Sequence, residues 1–224
     1  MDPSSSTITP ASYKPLSELY VQSCGNLGMS WVMHKGRNLA FHNYKNEPAL
    51  YSLEISNHSK ESTVILRKGD SKKEAAISQA SETSISGEYQ INGPLGQETM
   101  ERSGKDMYLW TVPAALCPPK LPPYEKDDPD KKTTFHWIRT PRVEGKIATF
   151  ASPDWKLHDK ESGEVHAVFM ENWDGTTDRG QIQFRRSFGE NWEMSVLVSV
   201  GIVTERERAR RDRRGNFTKG FMLR

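Results

Sequence analysis

Between Met194 and Val203 every position is apolar except Ser195, Ser199 and Gly201, and no turn signal separates this run from the charged stretch Glu205–Arg211. The pattern predicts a helix. Asn191 can serve as its N-cap, Glu190 and Glu193 suit the positive end of the macrodipole, and the arginines suit the negative end. Glu205/Arg208 and Glu207/Arg211 also stand at helical pair spacings. A strand is the rival reading, because Val196, Val198, Val200 and Ile202 alternate with Ser195, Leu197, Ser199 and Gly201. The run is too long for one strand, so the helix is preferred. Being apolar on all sides through its first turns, such a helix must be buried all round.

The rest of the chain has a different texture. Short runs rich in β-branched and aromatic residues lie between clusters of Gly, Asn, Ser and Asp, which predicts strands joined by turns. The candidates are Glu18–Val21, Gly28–Met33, Leu39–His42, Ala49–Ser56, Ser62–Lys68, Glu74–Ala80, Ser84–Ile91, Met107–Val112, Thr134–Arg139, Asp154–His158, Glu164–Met170 and Gly180–Ser187. The clearest alternation sets Tyr51, Leu53 and Ile55 on one face against Ser52, Glu54 and Ser56 on the other, as expected for antiparallel sheet wet on one side. Val165, Ala167 and Phe169 alternate with His166, Val168 and Met170, so that strand is apolar on both faces and belongs in the middle of the sheet. A sheet of about twelve strands tends to close. The expected fold is therefore mainly β: a closed antiparallel barrel of about twelve strands around a hydrophobic C-terminal helix.

The 224 residues suit one large domain. Residues 1–15, rich in Ser, Thr and Pro, are expected to be a disordered tail, 16–211 the barrel domain, and 212–224 a basic tail. A proline-rich, charged segment at 113–132 is expected to be a long loop, solvated or offered to a protein partner. The N-terminal Met-Asp-Pro-Ser-Ser-Ser-Thr lacks the basic start and apolar stretch of a secretory signal, which points to an intracellular protein, cytoplasmic or peripheral to a membrane. The longest apolar run is about half of the roughly 20 residues needed to cross a bilayer, so no transmembrane segment is expected. Cys24 and Cys117 are too few for a disulfide framework.

The C-terminal half resembles the tubby C-terminal-like fold shared by tubby proteins, phospholipid scramblases and plant LURP-one-related proteins, and by small fungal proteins. The likeness is carried by Phe135-His136-Trp137, by Asp154-Trp155-Lys156-Leu157-His158-Asp159, by Gly163-Glu164-Val165-His166-Ala167-Val168-Phe169, and by the apolar helix that follows Phe188-Gly189-Glu190-Asn191-Trp192-Glu193. By order of elements it covers roughly residues 45–211. It implies a twelve-stranded barrel closed around a hydrophobic helix. Two departures limit what else it implies. The Lys/Arg pair through which tubby proteins hold phosphoinositides has no residue-by-residue counterpart. Asp127-Asp128-Pro129-Asp130 lacks the Gly and distal Glu of a calcium loop.

Candidate chemistry is sparse. His34, His42, His58, His136, His158 and His166 are scattered without metal-pair spacing, and no nucleophile-elbow, phosphate-loop or dinucleotide glycine pattern occurs. No cofactor and no catalytic residue is expected. Charge is uneven, however. Of a net charge of +2, residues 205–224 carry +5, with eight Lys/Arg against Glu205, Glu207 and Asp212. Arg206, Arg208, Arg210, Arg211, Arg213 and Arg214 are thus either the solvated end of a helix leaving the barrel or a contact for anionic phospholipid head groups. Nucleic acid fits less well, because no ring between Arg206 and Arg214 offers a base a stacking surface. The expected function is a non-enzymatic binding or adaptor protein; the alternative is an accessory enzyme of small-molecule metabolism with a pocket at the barrel mouth.

Overall fold

The computed structural model describes residues 15–24, 38–45, 47–58, 61–69, 74–83, 87–113, 132–140, 142–143, 146–147, 154–172 and 178–221, with backbone alone at Cys24, Asn57, His58, Glu61, 142–143, 146–147 and 212–221. In chain order the elements are β1 (Ser17–Cys24), β2 (Asn38–His42), β3 (Tyr51–His58), β4 (Glu61–Lys68), β5 (Ala76–Glu82), β6 (Tyr89–Gly93), β7 (Gly96–Arg102), β8 (Met107–Pro113), β9 (Lys132–Thr140), β10 (Arg142–Val143), β11 (Lys146–Ile147), β12 (Asp154–Asp159), β13 (Val165–Glu171), β14 (Asp178–Phe184) and α1 (Glu190–Phe221). Twelve of the strands form one closed antiparallel barrel in the order β1-β14-β13-β12-β9-β8-β7-β6-β5-β4-β3-β2, and β10 and β11 make a separate hairpin. Closure comes from β1, which pairs with β14 on one side and β2 on the other. A closed sheet leaves no edge exposed along its length.

The expected architecture is therefore present, with two differences in how the twelve strands arise. The strand expected at Gly28–Met33 lies outside the described residues. In its place the count is completed by β7, whose sequence GQETMER has no apolar alternation because one of its inward positions is Glu98. The strand expected over Ser84–Ile91 begins later, at Tyr89. The Pro-rich segment leaves β8 at Pro113 and returns at Lys132; residues 114–131 lie outside the described set, as do residues 1–14 of the expected tail.

Interior and exterior alternate along each strand. On β8 the inward Tyr108, Trp110 and Val112 are buried while Met107, Leu109 and Thr111 are not. An eight-stranded barrel is filled by its own side chains, so twelve strands leave room for more, and α1 supplies it. All ten residues from Met194 to Val203 are buried, on every side of the helix. The helix lies nearest β3, β4 and β5. Gly201 permits that approach, since a Cβ there would stand 2.4 Å from Leu53 Cδ2.

At the start of α1 the expected cap shifts by two residues. Gly189, at φ 101°, precedes the helix and its carbonyl accepts the Glu193 N–H, so Asn191 lies inside the first turn. Glu190 and Glu193 do sit in that first turn, near the dipole's positive end. Trp192 closes this end of the barrel in an aromatic cluster, its ring 5.2 Å from Phe188, 5.9 Å from His166, 6.0 Å from Phe135 and 6.2 Å from Trp110. The two serines of the apolar run are both hydrogen-bonded. Ser199 accepts the Trp137 indole N–H at 2.8 Å and donates to the Val196 carbonyl, while Ser195 donates to Glu98 at 2.8 Å. Polar groups in an apolar interior need such partners.

Candidate functional site

The candidate site is the mouth of the barrel through which α1 leaves. The strands alternate in direction, so this end collects the last residues of β5, β7, β9 and β13 and the first of β6 and β8. Inward positions there are Glu82, Tyr89, Tyr108, Arg139 and Glu171, with Asp106 on the turn before β8. The helix brings Glu205, Arg206, Glu207, Arg208, Arg210 and Arg211 to the same level.

Each of these four arginines meets an acidic group of the protein. Arg206 lies 2.8 Å from Glu82, donates also to the Gly87 carbonyl, and stacks over the Tyr89 ring at 5.0 Å. Arg208 pairs with Glu205 one turn back at 2.8 Å. Arg210 pairs with Glu207 at 2.9 Å, with Asp106 at 3.3 Å, and donates to the Lys105 carbonyl. Arg211 reaches across to Glu171 on β13 at 3.3 Å. The helical pair expected between Glu207 and Arg211 is thus replaced by Glu207–Arg210 and a cross-barrel contact, because Glu171 faces Arg211 from the wall. Arg139 of β9 also reaches Asp106, at 3.4 Å, on the same carboxylate oxygen as Arg210.

The electrostatics follow from this crowding. The side chains of the four helix arginines are only 17% to 28% exposed, and Glu171, Glu205 and Glu207 are buried. Five guanidinium groups (Arg139, Arg206, Arg208, Arg210, Arg211) therefore face five carboxylates (Glu82, Asp106, Glu171, Glu205, Glu207), and within this ring the charges cancel. Burial pulls the Asp106 carboxyl upward, but the hydrogen bonds from Arg210 and Arg139, and their charges, outweigh it and hold the group below its usual range. Burial, then the Glu207 charge, pushes the Tyr108 hydroxyl up, so it remains a donor to Glu207 at 3.2 Å. Burial likewise drives Tyr89 up to about 12.

Of the six arginines marked by the sequence, the fold brings Arg206, Arg208, Arg210 and Arg211 together at the mouth. Arg213 and Arg214 lie further along α1, which continues to Phe221, and their side chains are outside the described residues. Sequence reasoning missed Glu82, Asp106, Arg139 and Glu171. They come from four separate segments, and no spacing in one sequence links them.

The histidines have separate surroundings. His42 Nδ1 is 2.6 Å from the Glu47 carbonyl, His158 Nδ1 is 3.1 Å from the Gly163 carbonyl, and His166 is buried among Phe135, Phe188 and Trp192. Among the described residues no group of three or more His, Cys, Asp or Glu could hold a metal ion, and no helix is long and apolar enough to cross a membrane. Comparison with protein-family models, with curated proteins and with solved structures returns no match to this chain.

Proposed function

We propose that this chain is a non-enzymatic binding or adaptor module of the tubby-like kind, and that it meets anionic phospholipid head groups with the stretch of α1 beyond the ring of ion pairs at the mouth. The carrying observation is the charge balance of that ring. Five cations are matched there by five carboxylates, so Arg206, Arg208, Arg210 and Arg211 serve first to seat the helix. Past Arg211 the sequence holds Arg213, Arg214, Lys219 and Arg224 against Asp212 alone. The helix carries the part of this stretch up to Phe221 about 15 Å beyond Arg211, at the usual rise per residue. A basic segment beside an anionic membrane gains about 1 kcal/mol per basic residue.

The packed interior supports the same reading. Trp110, Trp137 and Trp155 of the wall and Trp192 of α1 are all buried in one core, which favours recognition on the outside of the barrel.

The test is sedimentation with vesicles containing phosphatidylserine or a phosphoinositide, beside neutral vesicles. Wild type should sediment with the anionic vesicles alone, and binding should fade as salt shortens the screening length below about 8 Å. Replacing Arg213, Arg214, Lys219 and Arg224 by Gln should remove the signal. Equal sedimentation of that variant and wild type rejects the proposal.

A further inference from the structure

Glu98 points into the barrel from β7 and is 1% exposed. Its two oxygens are shared between the wall and the helix. Oε2 accepts the Trp110 indole N–H of β8 at 2.7 Å, and Oε1 accepts the Ser195 hydroxyl of α1 at 2.8 Å. The space beside it is set by Gly93 on β6. A Cβ at that position would stand 2.7 Å from the Ser78 hydroxyl oxygen of β5 and 3.5 Å from Glu98 Oε1. The near neighbours of the carboxyl thus include Trp110, Ser195 and the Gly93 backbone, and among the described residues no charged group contributes to its titration.

This is an unusual place for an acid. At the mouth Glu171, Glu205 and Glu207 each have an arginine, whereas the donors to Glu98 are neutral. Burial drives its pKa up to about 7, against the opposing pull of the hydrogen bonds from Ser195 and Trp110. Both protonation states keep hydrogen-bond partners, but only the neutral one leaves no uncompensated charge in the core. As a carboxylate the group accepts both hydrogen bonds. As a carboxylic acid it donates its own O–H to Ser195, whose hydroxyl can turn round to accept, while the indole, a donor only, stays on the other oxygen.

We propose that Glu98 is a proton-operated latch on the buried half of α1: the neutral carboxyl seats the helix with no charge in the core, and the ionised carboxylate loosens the turns around Ser195. The direction follows from linkage. A carboxyl whose folded-state pKa lies above its unfolded value favours the closed state fully below the unfolded pKa, and that advantage is lost as pH rises through the folded pKa. The latch is independent of the anionic partner proposed above.

Three measurements on the full chain decide it. Carbon-13 NMR of protein labelled at the glutamate carboxyls should show one resonance, absent from Glu98→Gln, that titrates near neutrality. Hydrogen exchange of residues 190–200, corrected for intrinsic rates, should show opening that increases about tenfold from about pH 6 to about pH 8 in wild type, and this dependence should vanish in Glu98→Gln. Ser195→Ala removes a donor to the ionised form and should move the carboxyl midpoint upward. It also serves as the working variant if Glu98→Gln does not fold. A Glu98 resonance titrating in the ordinary carboxylate range, an unmoved midpoint in Ser195→Ala, or identical pH dependence of exchange in Glu98→Gln and wild type each overturns the latch.

Discussion

Gly201 of α1 lies against Leu53 of β3 so closely that a single added methyl carbon would stand 2.4 Å from Leu53 Cδ2 and 3.1 Å from Val64 Cγ1. Both neighbours are fully buried, so neither can swing into solvent. Gly201→Ala improves intrinsic helix propensity by about 1 kcal/mol, yet overpacking a filled core costs about 1–3 kcal/mol. The net expectation is a lower melting temperature. In a Leu53→Ala background the same substitution should lose most of its penalty, and a double-mutant cycle by urea unfolding reads that coupling. Additive effects would show that the helix does not sit against β3.

Val198 lies at the centre of the buried run and is fully enclosed. Val198→Arg places an unpaired charge there, at a cost of several kcal/mol out of the roughly 5–15 that hold a domain together. Soluble expression should collapse. Melting within a few degrees of wild type would contradict a central helix.

The arginines of the C-terminal cluster should divide by position. Arg210→Gln with Arg211→Gln strips the cations from Glu207 and Glu171, each 2% exposed, and is expected to cost about 1–3 kcal/mol per pair. Arg213→Gln with Arg214→Gln should change stability by no more than about 0.5 kcal/mol. Thermal melts of the two double variants make the comparison. Equal melting temperatures would mean that the ion pairs at the mouth contribute nothing to holding α1.

Glu98 makes its own contribution to the pH dependence of folding, with a sign set by its burial. Its pKa rises from 4.5 to about 7 on folding, so its contribution favours the native state below about pH 4.5 and is lost as pH climbs through about 7. Relative to Glu98→Gln, wild type should lose roughly 3 kcal/mol of stability between about pH 4.5 and about pH 7, with little further change above. Urea titrations of both proteins across this window measure the difference.

The sequence by itself determined the broad plan of this protein, and the reason is local. A run from Met194 to Val203 with no polar face can only be buried, and alternation such as Tyr51–Ser56 can only build a wall with one wet side, so a filled antiparallel barrel follows from periodicity. Other features depended on partners distant in the chain. Strand β7 stayed hidden because Glu98 occupies a core position, and only Trp110 and Ser195, brought in from β8 and α1, make a carboxyl tolerable there. Arg206–Arg211 were visible as a basic cluster, but their charge is decided by Glu82, Asp106 and Glu171, which reach the mouth from the end of β5, the turn before β8 and the end of β13. Charge along a chain counts residues, whereas Coulomb energy depends on distance between them in space. Closure of the barrel made those distances short, and so turned an apparent basic patch into a neutral seat for the helix.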